Sequence, residues 1–240
     1  MVVVSPSYKR AGNISVRRFY PDTVLAVHEF EAGEYKKKDG EPILIIPDSL
    51  RGNMGKVRNF IVESFGDVVM LDDDVVSVGR FDSRVNDFQG KSYDKNEFES
   101  FVDHGFRMAE ELGVCLWGVN LQSDPKFYRA YSPFSFLSPV LGPFSCIRKN
   151  PIRYDERLSL NEDYDYFLQH IQRYHKTLRF NCNWYKAGHL SQRGGCGAYR
   201  TMKEEKAQSD LMIQKWGRGV VRYDLKKSTN PRLRVPINGI

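Results

Sequence analysis

Nowhere does the chain approach the roughly 18 consecutive apolar residues of a membrane-crossing helix, so no spanning segment is expected. Its start, Met1-Val2-Val3-Val4, is too short for the apolar part of a secretion signal and soon meets Pro6. Cysteine is sparse. Cys115, Cys146, Cys182 and Cys196 lie far apart and form no C-x-x-C pair, which reads as reduced thiols in a cytoplasmic protein. There is no internal repeat and no low-complexity segment. No glycine-rich phosphate loop follows the first expected strand, which places nucleotidyltransferases last among metal-using transferases.

What is present suits one compact domain, or one with a long appendage, in 240 residues. Hydrophobic residues make up 41%, enough for a proper core, and aromatics at 13% can also furnish a stacking surface. The formal charge is +6 and the pI is near 9.0, which favours an anionic partner. The excess is uneven. Lys215, Arg218, Arg222, Lys226, Lys227, Arg232 and Arg234 face only Asp224 in the C-terminal stretch. Charge alone leaves two readings of that stretch open: a phosphate-backbone footprint, or a solvated terminus.

Strands are expected at Val2–Val4, Thr23–Glu29, Ile43–Ile46 and Val68–Leu71, with a helix over Lys56–Phe65 that Gly66 stops. This alternation predicts an α/β fold with a mostly parallel sheet. Further on, Val75–Arg80 reads as a strand and Gln89–Asn96 as a polar loop. A helix follows from Asn96 to Leu112, then strands at Val114–Val119, Phe144–Ile147 and Leu178–Trp184. Helices are expected from Asn161 to Tyr174 and from Thr201 to Trp216. The domain is drawn over residues 1–217, with a basic tail over 218–240.

The densest chemical signal is Val68-Val69-Met70-Leu71-Asp72-Asp73-Asp74-Val75. A buried strand ends in three carboxylates, and open α/β sheets bind ligands at such ends. Strand alternation puts Asp72 and Asp74 on one face and Asp73 on the other. Two hard oxygen ligands with room for water and phosphate suit Mn²⁺ or Mg²⁺. An Asp-rich turn or a helix cap is the plainer explanation of any single D-x-D. Upstream, Arg51, Lys56 and Arg58 flank Asn53 and Gly55 at a helix start and could neutralise a diphosphate. A basic surface helix would explain them equally well.

After the first strand, Ser5-Pro6-Ser7-Tyr8-Lys9-Arg10 offers Tyr8 to a base or ribose and Arg10 to phosphate. Glu29 could accept a uracil imide, although a surface Glu is commoner. At Asn161-Glu162-Asp163-Tyr164-Asp165, helix capping and the helix dipole account for some of the acids but do not require three. Glu162 or Asp163 could be the base for an acceptor hydroxyl. His189 opens a glycine-rich loop to Gly197 as a third metal contact, and Arg193 in that loop could reach phosphate. A lone histidine more often plays a structural part.

The order of these parts resembles GT-A fold glycosyltransferases. The shared features are the nucleotide-side first strand, Asn53-x-Gly55-x-x-Arg58-Asn59, Leu71-Asp72-Asp73-Asp74, Glu162-Asp163 and His189, spanning roughly residues 1 to 200. More narrowly, Ser5–Arg10, Arg51–Gly55 and Val69–Val75 resemble bacteriophage glycosyltransferases associated with TET/JBP-type dioxygenases, proposed to act on hydroxymethylated pyrimidines in DNA. The resemblance implies a UDP-sugar donor. Asp72, Asp74 and His189 would hold the metal, and Asp73 would lie near the donor sugar. Ser5 and Asn53 would sit on the donor side, and Asp163, or else Glu162, would be the base. One displacement would invert the anomeric carbon, while retention stays open. The cell compartment implied is the cytoplasm of an infected host.

A DNA acceptor would need its base turned out of the helix. Phe127, Tyr128, Tyr131, Phe134 and Phe136 could stack on it, although core packing is the ordinary use of such rings. Lys126, Arg129, Arg222, Lys226 and Lys227 would bind phosphates. Two alternatives remain: transfer to a glycan, lipid-linked or protein acceptor, and a non-catalytic DNA-binding module.

Overall fold

A computed structural model describes residues 2–82, 89–188, 201–224 and 228–235. His189, Arg193, Lys226 and Lys227 lie outside the described residues. The first half follows the expected alternation: β1 (Val3–Pro6), α1 (Val16–Phe19), β2 (Val24–His28), α2 (Glu29–Asp39), β3 (Ile43–Ile46), α3 (Met54–Phe65) and β4 (Val68–Leu71). The second half contains β5 (Val75–Asp82), β6 (Gln89–Ser92), α4 (Lys95–Glu111), β7 (Leu116–Asn120), β8 (Phe134–Ser135) and β9 (Phe144–Ile147). It ends with α5 (Glu162–Tyr174), β10 (Leu178–Ala187), α6 (Met202–Trp216), β11 (Val221–Asp224) and β12 (Ser228–Leu233).

One large sheet runs in the order β3-β2-β1-β4-β9-β7-β10-β5-β6, with β8 also on β10. The block β3-β2-β1-β4 is parallel throughout, and β10 is parallel to β7. Strand β9 enters antiparallel between β4 and β7, and β5 and β6 are antiparallel at the far edge. Helices cover both faces. One core joins Ala32, Tyr35, Phe98, Phe101 and Ala109 of α2 and α4 to the sheet. The other joins Val57, Ile61, Phe167, Ile171 and Met212 of α3, α5 and α6 to it. This is a Rossmann-like α/β architecture of the GT-A kind. The chain steps from β1 outward to β3 and returns to the other side of β1 at β4. The carboxyl ends of β1 and β4 therefore flank the crevice where such sheets bind ligands.

Two expectations change. Gln89–Ser92 is an edge strand rather than a loop, because its order comes from pairing with β5 and not from its own side chains. Glu29 does not end β2. It opens α2, a helix whose buried residues are only Glu31, Ala32 and Tyr35, too few to give an amphipathic signal. Beyond residue 217, where the sequence reading drew a basic tail, the chain carries two more strands. Strands β11 and β12 form a hairpin, and Val221, Tyr223, Leu233 and Val235 join the cluster that holds α5 and α6.

Among the described residues, no helix is long and apolar enough to cross a membrane.

Candidate active site

The three aspartates occupy the turn that links β4 to β5, closed by a hydrogen bond from Val75 N–H to the Asp72 carbonyl at 3.1 Å. They stand in a turn, where strand alternation no longer sets direction, and their side chains differ in burial. Asp73 goes inward and is 4% exposed. Ser7 Oγ donates to Asp73 Oδ2 at 2.5 Å, and Arg10 pairs with Asp73 Oδ1. Tyr35 hydroxyl lies 2.9 Å from Ser7 Oγ and accepts the Arg10 N–H at 3.0 Å. Burial pushes the Asp73 carboxyl up to about 6, against the pull of Arg10 and Ser7. The Asp73 carbonyl accepts from Ser15 and Val16 N–H groups. Asp73 thus ties the acidic turn to the loop after β1, where the resemblance had set it near the sugar. Arg10, expected to meet phosphate, is engaged in the same knot.

Asp72 keeps a 32% exposed side chain. Asp74 is half-buried, and its carbonyl accepts the Gly188 N–H at 2.9 Å. The end of β10, immediately before His189, is thereby fastened beside the acidic turn. Among the described residues no group of three His, Cys, Asp or Glu side chains is arranged to hold a metal. Two carboxylates at a strand end are nonetheless a donor set that suits Mn²⁺ or Mg²⁺, ions that complete their shells with water and phosphate oxygens.

At the start of helix α3 the protein supplies one cap of its own. Asn53 caps it by accepting from Lys56 N–H at 3.0 Å, while Asn53 Nδ2 donates to the Glu156 carbonyl at 2.6 Å. A Cβ on Gly55 would meet the Asp155 and Leu158 carbonyls at 3.3 Å. The close approach that Gly55 permits is therefore to the protein's own loop. Lys56 is half-buried and Arg51 exposed. Arg58, expected on the diphosphate, is 3% exposed and points inward. Its Nε donates to Glu162 Oε1 at 3.1 Å and its Nη2 to Asp72 Oδ1 at 3.2 Å.

The three acids of α5 separate by role. Glu162 is buried under Arg58. Asp165 is fully buried and accepts from Lys215 Nζ, Trp216 Nε1 and Gln169 Nε2, which anchors α6. Asp163 is partly exposed and accepts the Gly142 N–H at 3.0 Å. Burial, with mutual repulsion, raises Glu162. Burial also raises Asp163, against the Gly142 N–H and Arg58. Asn161 stands at the cap position but makes no side-chain cap bond.

Around the crevice, Ser5 is fully buried and its hydroxyl does not reach the surface. Tyr8 is half-buried, edge-on to His28 and Phe30 at 5.7 and 6.1 Å. Phe30 is 49% exposed, with the Arg51 guanidinium 4.8 Å from its ring centre. Glu29 is exposed next to it. Tyr8 and Arg51 thus meet around Phe30 at one shelf beyond β1 and β2, with Glu29 the exposed chain neighbour of Phe30. His28 and Phe30 belong to it too and were missed. The available signal was an aromatic residue placed directly after a strand end.

The aromatic segment after β7 divides. Tyr128 is core, stacked on Phe81 at 5.1 Å. Phe127, Tyr131, Phe134 and Phe136 are exposed, Tyr131 to 86%. Phe134 also packs edge-on against the core ring of Phe180 at 5.4 Å. Lys126 and Arg129 are exposed among them, Arg129 donating to the Lys126 and Tyr128 carbonyls. Arg222 is exposed on β11, on the C-terminal hairpin.

A protein-family model described as TET-Associated Glycosyltransferase matches residues 1–195. That match covers most of the chain, and the chain belongs to this family. No curated protein matches it.

Proposed function

We propose that this member of the TET-associated glycosyltransferases transfers a sugar from a UDP-sugar to the hydroxymethyl group of a modified pyrimidine in DNA, with Mn²⁺ or Mg²⁺. The observation that carries the reading is the reach of Arg58, which contacts both Asp72 and Glu162. One buried side chain thereby joins the donor's acidic turn to the helix start that bears Asp163.

The uracil would rest on the Tyr8–Phe30 shelf, with Glu29 able to accept its imide N–H and Arg51 near the phosphates. Asp72 and Asp74 would hold the metal, with His189 as the further ligand. When bound, the ion would disperse the charge that gathers on the leaving diphosphate. Asp163 would take the proton of the acceptor hydroxyl. The freed oxygen would bond to the anomeric carbon as the carbon–phosphate-oxygen bond breaks, and its electron pair would leave with UDP. Asp163 is favoured over Glu162 as base because it is the more accessible of the two, whereas Glu162 is committed to Arg58. A single displacement inverts the anomeric centre. The exposed rings Phe127, Tyr131, Phe134 and Phe136, with Lys126 and Arg129, are suited to an extruded base and its strand.

The test is mass spectrometry of hydroxymethylcytosine-containing DNA after incubation with a panel of UDP-sugars, beside plain DNA. A hexose mass gain on the modified DNA alone is expected. Transfer to a saccharide with none to DNA would replace the acceptor half of the reading. Asp163→Asn should lower turnover roughly 10²- to 10⁴-fold while donor binding persists. Chelation should abolish transfer, and Mn²⁺ should restore it.

A further inference from the structure

The C-terminal hairpin has two unlike faces. Val221 pairs across the strands with Leu233 and faces the core, where Tyr223 and Val235 join it. The next rung is Arg222 directly opposite Arg232, both exposed. Arg234 follows two residues on, its N–H bonded to the Val220 carbonyl, and Arg218 is exposed just before β11. Two like charges on one rung destabilise an antiparallel pair. Among the described residues no carboxylate forms a salt bridge with any of these four arginines. A recess of ≈ 390 Å³ beside them is lined by Arg218 and Arg222 with Ile213, Val221 and Tyr223.

We propose that this outward face is a binding surface for the DNA phosphate backbone, apart from the sugar-transfer crevice. It rests on the DNA half of the function proposed above. Arginine forks match phosphate oxygens two at a time. Residues two apart on a strand stand about 6.6 Å apart, so Arg232 and Arg234 offer successive contacts along one edge while Arg222 broadens the grip. A phosphate backbone neutralises the Arg222–Arg232 repulsion, which no salt bridge among the described residues offsets. Among the described residues the exposed large apolar side chains all lie elsewhere, so none of them gives this face the apolar anchor of a lipid-binding hairpin. The family match ends at residue 195, well before the hairpin.

The experiment is fluorescence anisotropy on plain duplex DNA across a salt series, with the full chain and Arg222→Gln/Arg232→Gln. The double variant should bind at least tenfold more weakly at low salt. Its slope of log affinity against log salt should be shallower by about 1.8, two phosphates' worth. Its melting temperature should be unchanged or higher, because the like-charged rung is gone, whereas a merely structural pair would lower it. Arg222→Lys/Arg232→Lys should restore most of the slope. Unchanged affinity and slope in the Gln variant would overturn the proposal. So would equal weakening toward anionic vesicles with DNA binding intact, which would assign the face to lipid. Plain DNA cannot accept sugar, so the outcomes separate. Wild-type protein that shows the slope yet glycosylates no modified DNA would fault the function reading alone.

Discussion

Arg58 shows why a residue's type does not disclose its task. In sequence it is one of several cations at a helix start. In the fold it is buried between two carboxylates. Burial opposes its charge, yet Asp72 and Glu162 hold its pKa above the ordinary arginine value. Arg58→Met would leave Glu162 charged or protonated in the interior without its partner. A loss of roughly 3–5 kcal/mol is expected in urea unfolding. Arg58→Met/Glu162→Met should recover much of it, because the unpaired buried charge is removed as well. If Arg58 were a surface phosphate ligand, the single variant would unfold like wild type. Gly142 belongs to the same cluster: a Cβ there would stand 2.6 Å from Arg58 Nη2 and 3.3 Å from Asp163 Oδ2.

Elements were legible where their side chains alone ordered them. Helix α4 carries an apolar stripe and a capping box between Asp94 and Glu97, and its extent follows from both. Strand β4 is apolar at every position because it is covered on both faces. Helix α2 and strand β6 were not legible, since the first buries few residues and the second is held by backbone pairing at an edge. What seats one element on another is harder still to foresee. Gly105 lets α4 lie against β7, where its Cβ would come within 2.2 Å of the Trp117 ring. Trp117 is fully buried and has nowhere to turn. Gly105→Ala should cost about 1–3 kcal/mol by overpacking, read as a lower urea midpoint with an unchanged slope.

The molecule as a whole should lose stability in mild acid, and α5 supplies one cause. His170 is fully buried among Tyr166 and Tyr174, with Nδ1 against the Tyr166 carbonyl at 2.9 Å. Burial pushes it down from 6.5 to about 4. The unfolded chain therefore binds a proton that the folded chain refuses. The penalty is absent above about pH 6.5 and grows as the pH falls toward 4, reaching ~3 kcal/mol. Melting temperature should fall across that window, and His170→Phe should flatten the fall. An equal slope in the variant would place the titration elsewhere.

The sequence by itself determined the α/β alternation, the acidic end of the fourth strand and the carboxylates at the start of α5, because apolar runs, glycine stops and local charge are properties of neighbours along the chain. Only the tertiary structure decided which of those charges are spent on the protein itself. Asp73 and Arg10 pair with one another, Arg58 lies between Glu162 and Asp72, and Asp165 holds α6. Pairing between residues dozens of positions apart follows from strand order and helix packing. No local pattern encodes it, and that pairing leaves Asp163 and the Tyr8–Phe30 shelf at the surface.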